Sequence, residues 1–178
     1  MDTKKISRYL SFILRHQPDS IGLKLSDEGW ADIKELIGKT RKFKLNRQIL
    51  ESVVETNDKK RFLISDDGLR IKANQGHSIT VKLELEPTTP PDVLLHGTAQ
   101  RFTESIFKQG LTKQRRHHVH LSETKETAMS VGARYGKPVL LQIDAVRMSE
   151  NGFEFFKTEN DVWLVDSVPA EYLIKIIE

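Results

Sequence analysis

Three of the chain's six prolines fall within five residues, in the stretch Glu84-Leu85-Glu86-Pro87-Thr88-Thr89-Pro90-Pro91-Asp92. Proline fixes φ and carries no amide hydrogen, so neither a helix nor a central strand runs through such a segment. It sits near the middle of 178 residues. A chain so interrupted folds either as two small domains joined by a stiff linker or as one domain around a rigid loop. We read it as a linker between domains at residues 1–86 and 87–178. Charge divides at the same place. The first half holds 17 basic and 13 acidic residues, a net of +4, and the second 11 and 12, a net of −1. The total of +3 says little about partners. The excess in the first half places any polyanion contact there.

Hydrophobic residues make up 38% of the chain and charged residues 30%, a balance expected of a soluble globular protein rather than a disordered one. No apolar run approaches the ~18 residues of a membrane helix. Met1-Asp2-Thr3-Lys4-Lys5 is not followed by the long apolar region of a secretory signal. The absence of cysteine excludes disulfides, thiol nucleophiles and Cys-based zinc sites. A cytoplasmic monomer with no membrane contact is the expectation.

In the first half, Ile6, Tyr9, Leu10, Ile13 and Leu14 recur at helical spacing and predict a helix from Lys4 to His16, stopped by Pro18 and Gly22. A short helix is expected at Asp32–Ile37. A third is expected after the N-cap Asn46, burying Ile49, Leu50, Val53 and Val54. Arg61–Ile64, the turn Asp66-Asp67-Gly68 and Leu69–Ala73 then read as a hairpin. Three helices and a hairpin are the plan of a winged helix, a nucleic-acid reader, and equally of a generic helical domain with a hairpin.

The second half reads as mixed α and β. Strands are expected at Val93–His96, Val119–Leu121, Val139–Ile143, Gly152–Phe156, Val162–Val165 and Tyr172–Ile177. Thr98 is read as the cap of a helix to Gln109, and Ser122 as the cap of one to Tyr135. No strand–helix–strand regularity persists, which argues against a doubly wound parallel sheet. The fold class is α+β.

Gly38-Lys39-Thr40 looks like the end of a phosphate loop, but Ile33 stands where that motif needs its first glycine. No GxGxxG occurs. His117, His118 and His120 are dense, yet they lack the further ligands a metal requires, and Arg115 and Arg116 suit an anion instead. No metal is expected. What remains is scattered: Arg15-His16, Arg61, Gln75-Gly76-His77-Ser78, His96-Gly97-Thr98 at an expected strand-to-helix turn, and Arg116 through Ser122. Singly, each has an ordinary structural use as a dipole partner, cap or solvated charge.

Together they resemble a known family. Leu10-Ser11-Phe12-Ile13-Leu14-Arg15-His16, Asp27-Glu28-Gly29-Trp30-Ala31-Asp32, Asp58-Lys59-Lys60-Arg61-Phe62, Gln75-Gly76-His77-Ser78, Leu95-His96-Gly97-Thr98, Val119-His120-Leu121-Ser122, Val131-Gly132-Ala133-Arg134 and Asn160-Asp161-Val162-Trp163-Leu164 follow in order over nearly the whole chain. This set is similar to the RNA 2′-phosphotransferases, NAD⁺-dependent enzymes of the tRNA-splicing type. The resemblance implies an N-terminal winged-helix RNA-binding lobe and a C-terminal ADP-ribosyltransferase-like lobe that takes NAD⁺ as co-substrate. It implies an Arg-His-Arg-Arg tetrad at Arg15, His16, Arg61 and Arg116. It implies NAD⁺ contacts at His96, Gly97, Thr98, His120 and Ser122. The expected partner is tRNA-like RNA carrying a 2′-phosphate.

The reaction so implied has two steps. The RNA 2′-phosphate attacks C1″ of the nicotinamide ribose and expels nicotinamide, giving RNA-2′-phospho-ADP-ribose. This is a positioning task. The ribose O2″ then attacks phosphorus, releasing 2′-hydroxyl RNA and ADP-ribose 1″,2″-cyclic phosphate. Arginine forks suit the phosphate oxygens, and a histidine suits the proton that must reach the leaving 2′-oxygen. Two other readings use the same residues differently. One is an ADP-ribosyltransferase that modifies terminal phosphates of nucleic acid and stops after step one. The other is a non-enzymatic winged-helix module, which leaves the histidine-rich strand without a task. RNA contact is expected from Lys39, Arg41, Lys42, Lys44 and Arg47, and from Lys59 and Lys60 beside Arg61.

Overall fold

The stripe of α1 (Thr3–Arg15) organises the first half of the chain. Ile6, Leu10, Ile13 and Leu14 are all within 1% of complete burial, each contributing about 1.5–3 kcal/mol. The Asp2 carboxylate caps the helix by accepting from the Lys5 amide at 3.1 Å. Pro18 opens a single 3₁₀ turn, and Gly22, at φ +64°, takes the left-handed conformation that ends it. A computed structural model describes residues 2–57, 59–82 and 85–177, the last three by backbone alone. Asp58 of the Asp58-Lys59-Lys60 motif and Glu84 at the head of the proline segment lie outside the described residues. The chain divides into two compact units, Met1–Glu84 and Leu85–Glu178.

In the first unit, the two-residue strand β1 (Ala31–Asp32) leads directly into α2 (Ile33–Lys39). The cap of α2 is Asp32, which accepts from the Glu35 amide at 2.8 Å. Asn46 caps α3 (Arg47–Glu55) in the same way through Ile49 at 2.9 Å, as its sequence position predicts. The hairpin strands β2 (Phe62–Ile64) and β3 (Arg70–Ala73) pair antiparallel in the register Phe62↔Ala73. β3 is the central strand, with β1 on its other edge. Strand β1 escapes sequence reading because two residues show no alternation; it exists because Ala31 and Asp32 pair with Ile71 and Arg70. Arg70 and Lys72 stand on one face of β3 and stack over the Trp30 ring, at 5.4 and 4.6 Å from its centroid.

The second unit runs β4 (Val93–Ala99), α4 (Thr103–Gln109), β5 (Leu111–Thr112), β6 (Val119–Leu121), α5 (Lys125–Gly132), β7 (Pro138–Asp144), α6 (Ala145–Glu150), β8 (Phe155–Lys157), β9 (Trp163–Val165), β10 (Ser167–Val168) and β11 (Leu173–Ile177). Among the described residues its sheets, β11-β7-β4, β6-β9-β8 and β10-β5, contain only antiparallel pairs. The core includes Leu94, Leu141, Ile143, Met148, Phe155, Trp163 and Val165. The molecule is therefore mixed α and β with small antiparallel sheets. Among the described residues no helix is long and apolar enough to cross a membrane.

Several local expectations are corrected here. His96, Gly97 and Thr98 lie inside β4, opposite Leu141, Leu140 and Val139, and not at a strand-to-helix turn. The ladder to β7 continues to Ala99↔Pro138, so Thr98 is a buried strand residue and caps nothing. A 3₁₀ turn, Gln100–Phe102, comes before α4. Thr124, rather than Ser122, caps α5, accepting from Thr127. The Ser122 backbone is already committed to a two-way bridge with Leu95, both bonds at 2.8 Å. The strand expected from Gly152 starts only at Phe155, because Gly152 turns at φ +89° behind α6. The six residues of α6 are too few to show a helical stripe.

Candidate functional site

At the C-terminal end of α1 the loop Gln75–Ser78 closes over Arg15 and His16. The Ser78 amide donates to the Arg15 carbonyl at 2.9 Å, and its hydroxyl lies 2.9 Å from His16 Nδ1. Gly76, at φ +84°, faces the Arg15 guanidinium; a Cβ there would stand 3.6 Å from Arg15 Nη1. His77 is 1% exposed and its Nε2 lies 3.5 Å from the position of a Cβ on Gly29. The loop is thus plugged into its unit next to the Arg15 and His16 side chains. A helix C-terminus also favours cations, which suits Arg15.

Arg61 precedes β2 and is held from behind. Its Nη1 donates to Asn57 Oδ1 at 3.1 Å, while Asn57 Nδ2 donates to Ser7 Oγ of α1 at 2.7 Å. Asn57 is itself buried. One amide therefore ties Arg61 to the same helix that carries Arg15 and His16. Lys60, at φ +38°, and the Asn74 side chain, which donates to the Lys60 carbonyl at 2.6 Å, fix the backbone just before Arg61. Three of the four tetrad positions belong to the first unit, and Arg116 belongs to the second.

In the second unit a cluster forms around β4 and β6. The His120 carbonyl accepts from His96 Nδ1 at 3.0 Å. That carbonyl cannot donate, so the His96 proton sits on Nδ1 and Nε2 carries the lone pair. Burial holds the His96 pKa below its ordinary 6.5, and the Arg116 charge pushes it the same way, against the hydrogen bond to His120. His96 is therefore a neutral acceptor at physiological pH. Arg116 Nη1 lies 3.3 Å from His120 Nδ1. A guanidinium only donates, so His120 accepts there when neutral and keeps its proton on Nε2. Ser122 joins the cluster through its bridge to Leu95. An open pocket of about 380 Å³ adjoins His96, with Phe102, Ile106, Leu111, Thr112 and Gln114 in its lining.

Gly97 is met from behind by α5. A Cβ on Gly97 would fall 1.6 Å from the Ala128 carbonyl oxygen. What its bare backbone admits here is a helix. Gly132 repeats the device from the α5 side, where a Cβ would lie 2.6 Å from the Thr98 carbonyl oxygen.

The remaining sequence candidates separate clearly. His118 packs edge-on against Phe156, with ring centroids 5.7 Å apart, and no group of three potential metal ligands occurs among the described residues. Lys39 of the Gly-Lys-Thr segment pairs with Glu35 at 2.5 Å and reaches the Gly22 carbonyl, a structural use. Arg47 is engaged by Glu51 at 2.6 Å and by the Gly68 carbonyl. Arg41, Lys42 and Lys44 are exposed and make no ion pair among the described residues. Arg41 and Lys42 flank an open pocket of about 530 Å³ beside Tyr9. Sequence reasoning missed Asn57, whose only signal is its place shortly before the Lys59-Lys60-Arg61 run. It also gave Ser78 no role.

Comparison with known proteins shows the family. Residues 1–167 match the family model described as RNA 2′-phosphotransferase, Tpt1 / KptA family. A protein of Acaryochloris marina named probable RNA 2′-phosphotransferase is 53% identical over 175 residues, covering 97% of each chain. Proteins of the same name from Pseudomonas syringae pv. tomato and Burkholderia lata are 52% and 56% identical, covering 98% and 97% of this chain and 95% and 90% of theirs. The chain belongs to the RNA 2′-phosphotransferase family.

Proposed function

We propose that this protein removes an internal 2′-phosphate from RNA by transferring it to NAD⁺, a substrate consumed in each turnover. The products are 2′-hydroxyl RNA, nicotinamide and ADP-ribose 1″,2″-cyclic phosphate, formed through RNA-2′-phospho-ADP-ribose. The observation that carries the reading is the pair Arg15-His16 held at the end of α1 by the Gln75–Ser78 loop. It sets a permanent cation, for the phosphate oxygens, beside a group that exchanges protons near neutral pH. Arg61, braced by Asn57, and Arg116 add charge for the transition state. His16 handles the proton of the leaving 2′-oxygen.

The three helices and hairpin of the first unit support a winged-helix lobe, and the antiparallel sheets of the second support an ADP-ribosyltransferase-like one. We assign NAD⁺ to the pocket beside His96, whose volume suits part of a dinucleotide. The His96 Nε2 lone pair is fitted to accept from a ribose hydroxyl. Gly97 and Thr98 shape the strand that carries His96, and His120 and Ser122 hold the facing edge. The Arg41, Lys42 and Lys44 side chains serve the RNA backbone electrostatically. We place the enzyme in the cytoplasm, as a monomer without a metal.

Mass spectrometry of internally 2′-phosphorylated RNA after reaction with NAD⁺ tests this. A bare 2′-hydroxyl is expected. Retained ADP-ribose as the end product would support a transferase that stops after step one, and unchanged RNA would overturn both readings. Arg15→Ala, His16→Ala and Arg61→Ala should each slow step two more than step one, so that ADP-ribosylated RNA accumulates.

A further inference from the structure

We infer that Ser78 is the positioning residue for His16: its hydroxyl keeps Nδ1 occupied, so that proton exchange with the substrate occurs at Nε2. This rests on the proposed role of His16 in the second step. The two residues are 62 positions apart, and Ser78 Oγ lies 2.9 Å from His16 Nδ1. The backbone that carries the hydroxyl is fixed independently of that bond. The Ser78 backbone is tied to the Arg15 carbonyl at 2.9 Å, and the neighbouring His77 is buried to 1% exposure. His16, by contrast, stands exposed at a helix end, with the Phe12 ring as its aromatic neighbour at 6.5 Å. Ordering a surface imidazole at the moment of reaction adds to the barrier, and a bond already made to Nδ1 lowers that cost.

A hydroxyl suits this task better than the alternatives. It accepts from Nδ1–H when the ring is cationic and in the neutral form left after Nε2 has given up its proton. It also donates to a bare Nδ1 in the other neutral tautomer. A carboxylate would only accept and would favour the cation, while a backbone carbonyl would only accept. Serine therefore holds one ring pose through the whole cycle. The proton lost from Nε2 goes to the 2′-oxygen as the phosphorus–oxygen bond to RNA breaks. The proton of the attacking O2″ restores the balance through solvent.

The experiment compares Ser78→Ala, Ser78→Thr and His16→Ala in the full-length protein. Single-turnover kinetics resolve the two steps, and ring ¹⁵N shifts of His16 are recorded without substrate. Ser78→Ala should slow step two by about 10- to 100-fold, the range of a misplaced catalytic group, and leave step one within about threefold. Ser78→Thr should restore most of the rate. The His16 Nδ1 shift should report loss of its hydrogen bond in Ser78→Ala and return in Ser78→Thr. Normal step two in Ser78→Ala, with His16→Ala inactive in that step, overturns this inference and leaves the reading of His16 standing. Equal loss of both steps in Ser78→Ala overturns it as well. Normal step two in His16→Ala overturns the reading of His16 itself.

Discussion

Gly97→Ala is a severe test of how the second unit is assembled. The new Cβ would sit 1.6 Å from the Ala128 carbonyl oxygen, 2.4 Å from its carbon and 3.1 Å from the Gly132 nitrogen. Ordinary contact begins near 3.4 Å, so β4 and α5 would have to separate by about 1.8 Å. Both obstacles are backbone, and no rotamer change relieves them. Overpacking costs about 1–3 kcal/mol when side chains can give way, so a cost of about 3 kcal/mol or more is expected here. For a unit of this size that lowers Tm by about 12–24 °C. A Trp30→Phe background leaves Trp163 as the sole indole, which reports the second unit alone and avoids treating two units as one transition. Gly38→Ala is the control. Nothing lies within 4 Å of its Cβ, and in α2 it should gain about 0.5–1 kcal/mol, read by Trp30 in a Trp163→Phe background. A loss below about 1 kcal/mol for Gly97→Ala would refute the packing argument.

Other expectations follow from single interactions. Asn57→Ala removes the amide that braces Arg61 and pairs with Ser7, so the first unit should lose about 1–3 kcal/mol in urea unfolding and step two should slow; unchanged stability would contradict this. His96 and His118 are both held below the ordinary imidazole value of 6.5, chiefly by burial. The unfolded chain therefore binds more protons just below pH 6.5, and the second unit should be less stable at pH 5.5 than at pH 7.5, with little change above 7. Equal urea midpoints at the two pH values would contradict that. Replacing Arg41, Lys42 and Lys44 together by Ala should weaken RNA binding and reduce the slope of log K against log salt by about 2; an unaltered slope would remove these residues from the interface.

The first unit was the more legible in sequence. Its first and third helices carry regular stripes, Asn46 reads as the N-cap of the third, and the Asp66-Asp67-Gly68 turn marks the hairpin, because these signals are local. The second unit is built from pairings between distant short segments. Strands β5 and β10 have two residues each and exist only as each other's partner. Thr98 and Ser122 look like caps because Thr and Ser cap helices elsewhere, but ladder and bridge bonds claim their backbones. The identities of the candidate residues came from ordered motifs. Their relations did not, since His96 meets His120 across 24 positions and His16 meets Ser78 across 62. Gly97 shows the same limit. A glycine beside a candidate ligand-binding histidine reads as room for a ligand, and only the path of α5 reveals that a helix fills it.

The most direct measurement follows both halves of the reaction at once. Purified protein is mixed with NAD⁺ and an oligonucleotide carrying one internal 2′-phosphate, and released nicotinamide is counted against 2′-hydroxyl RNA formed. The account predicts one nicotinamide for every 2′-phosphate removed, with ADP-ribose cyclic phosphate in equal amount. RNA that keeps its 2′-phosphate while NAD⁺ remains intact would contradict it.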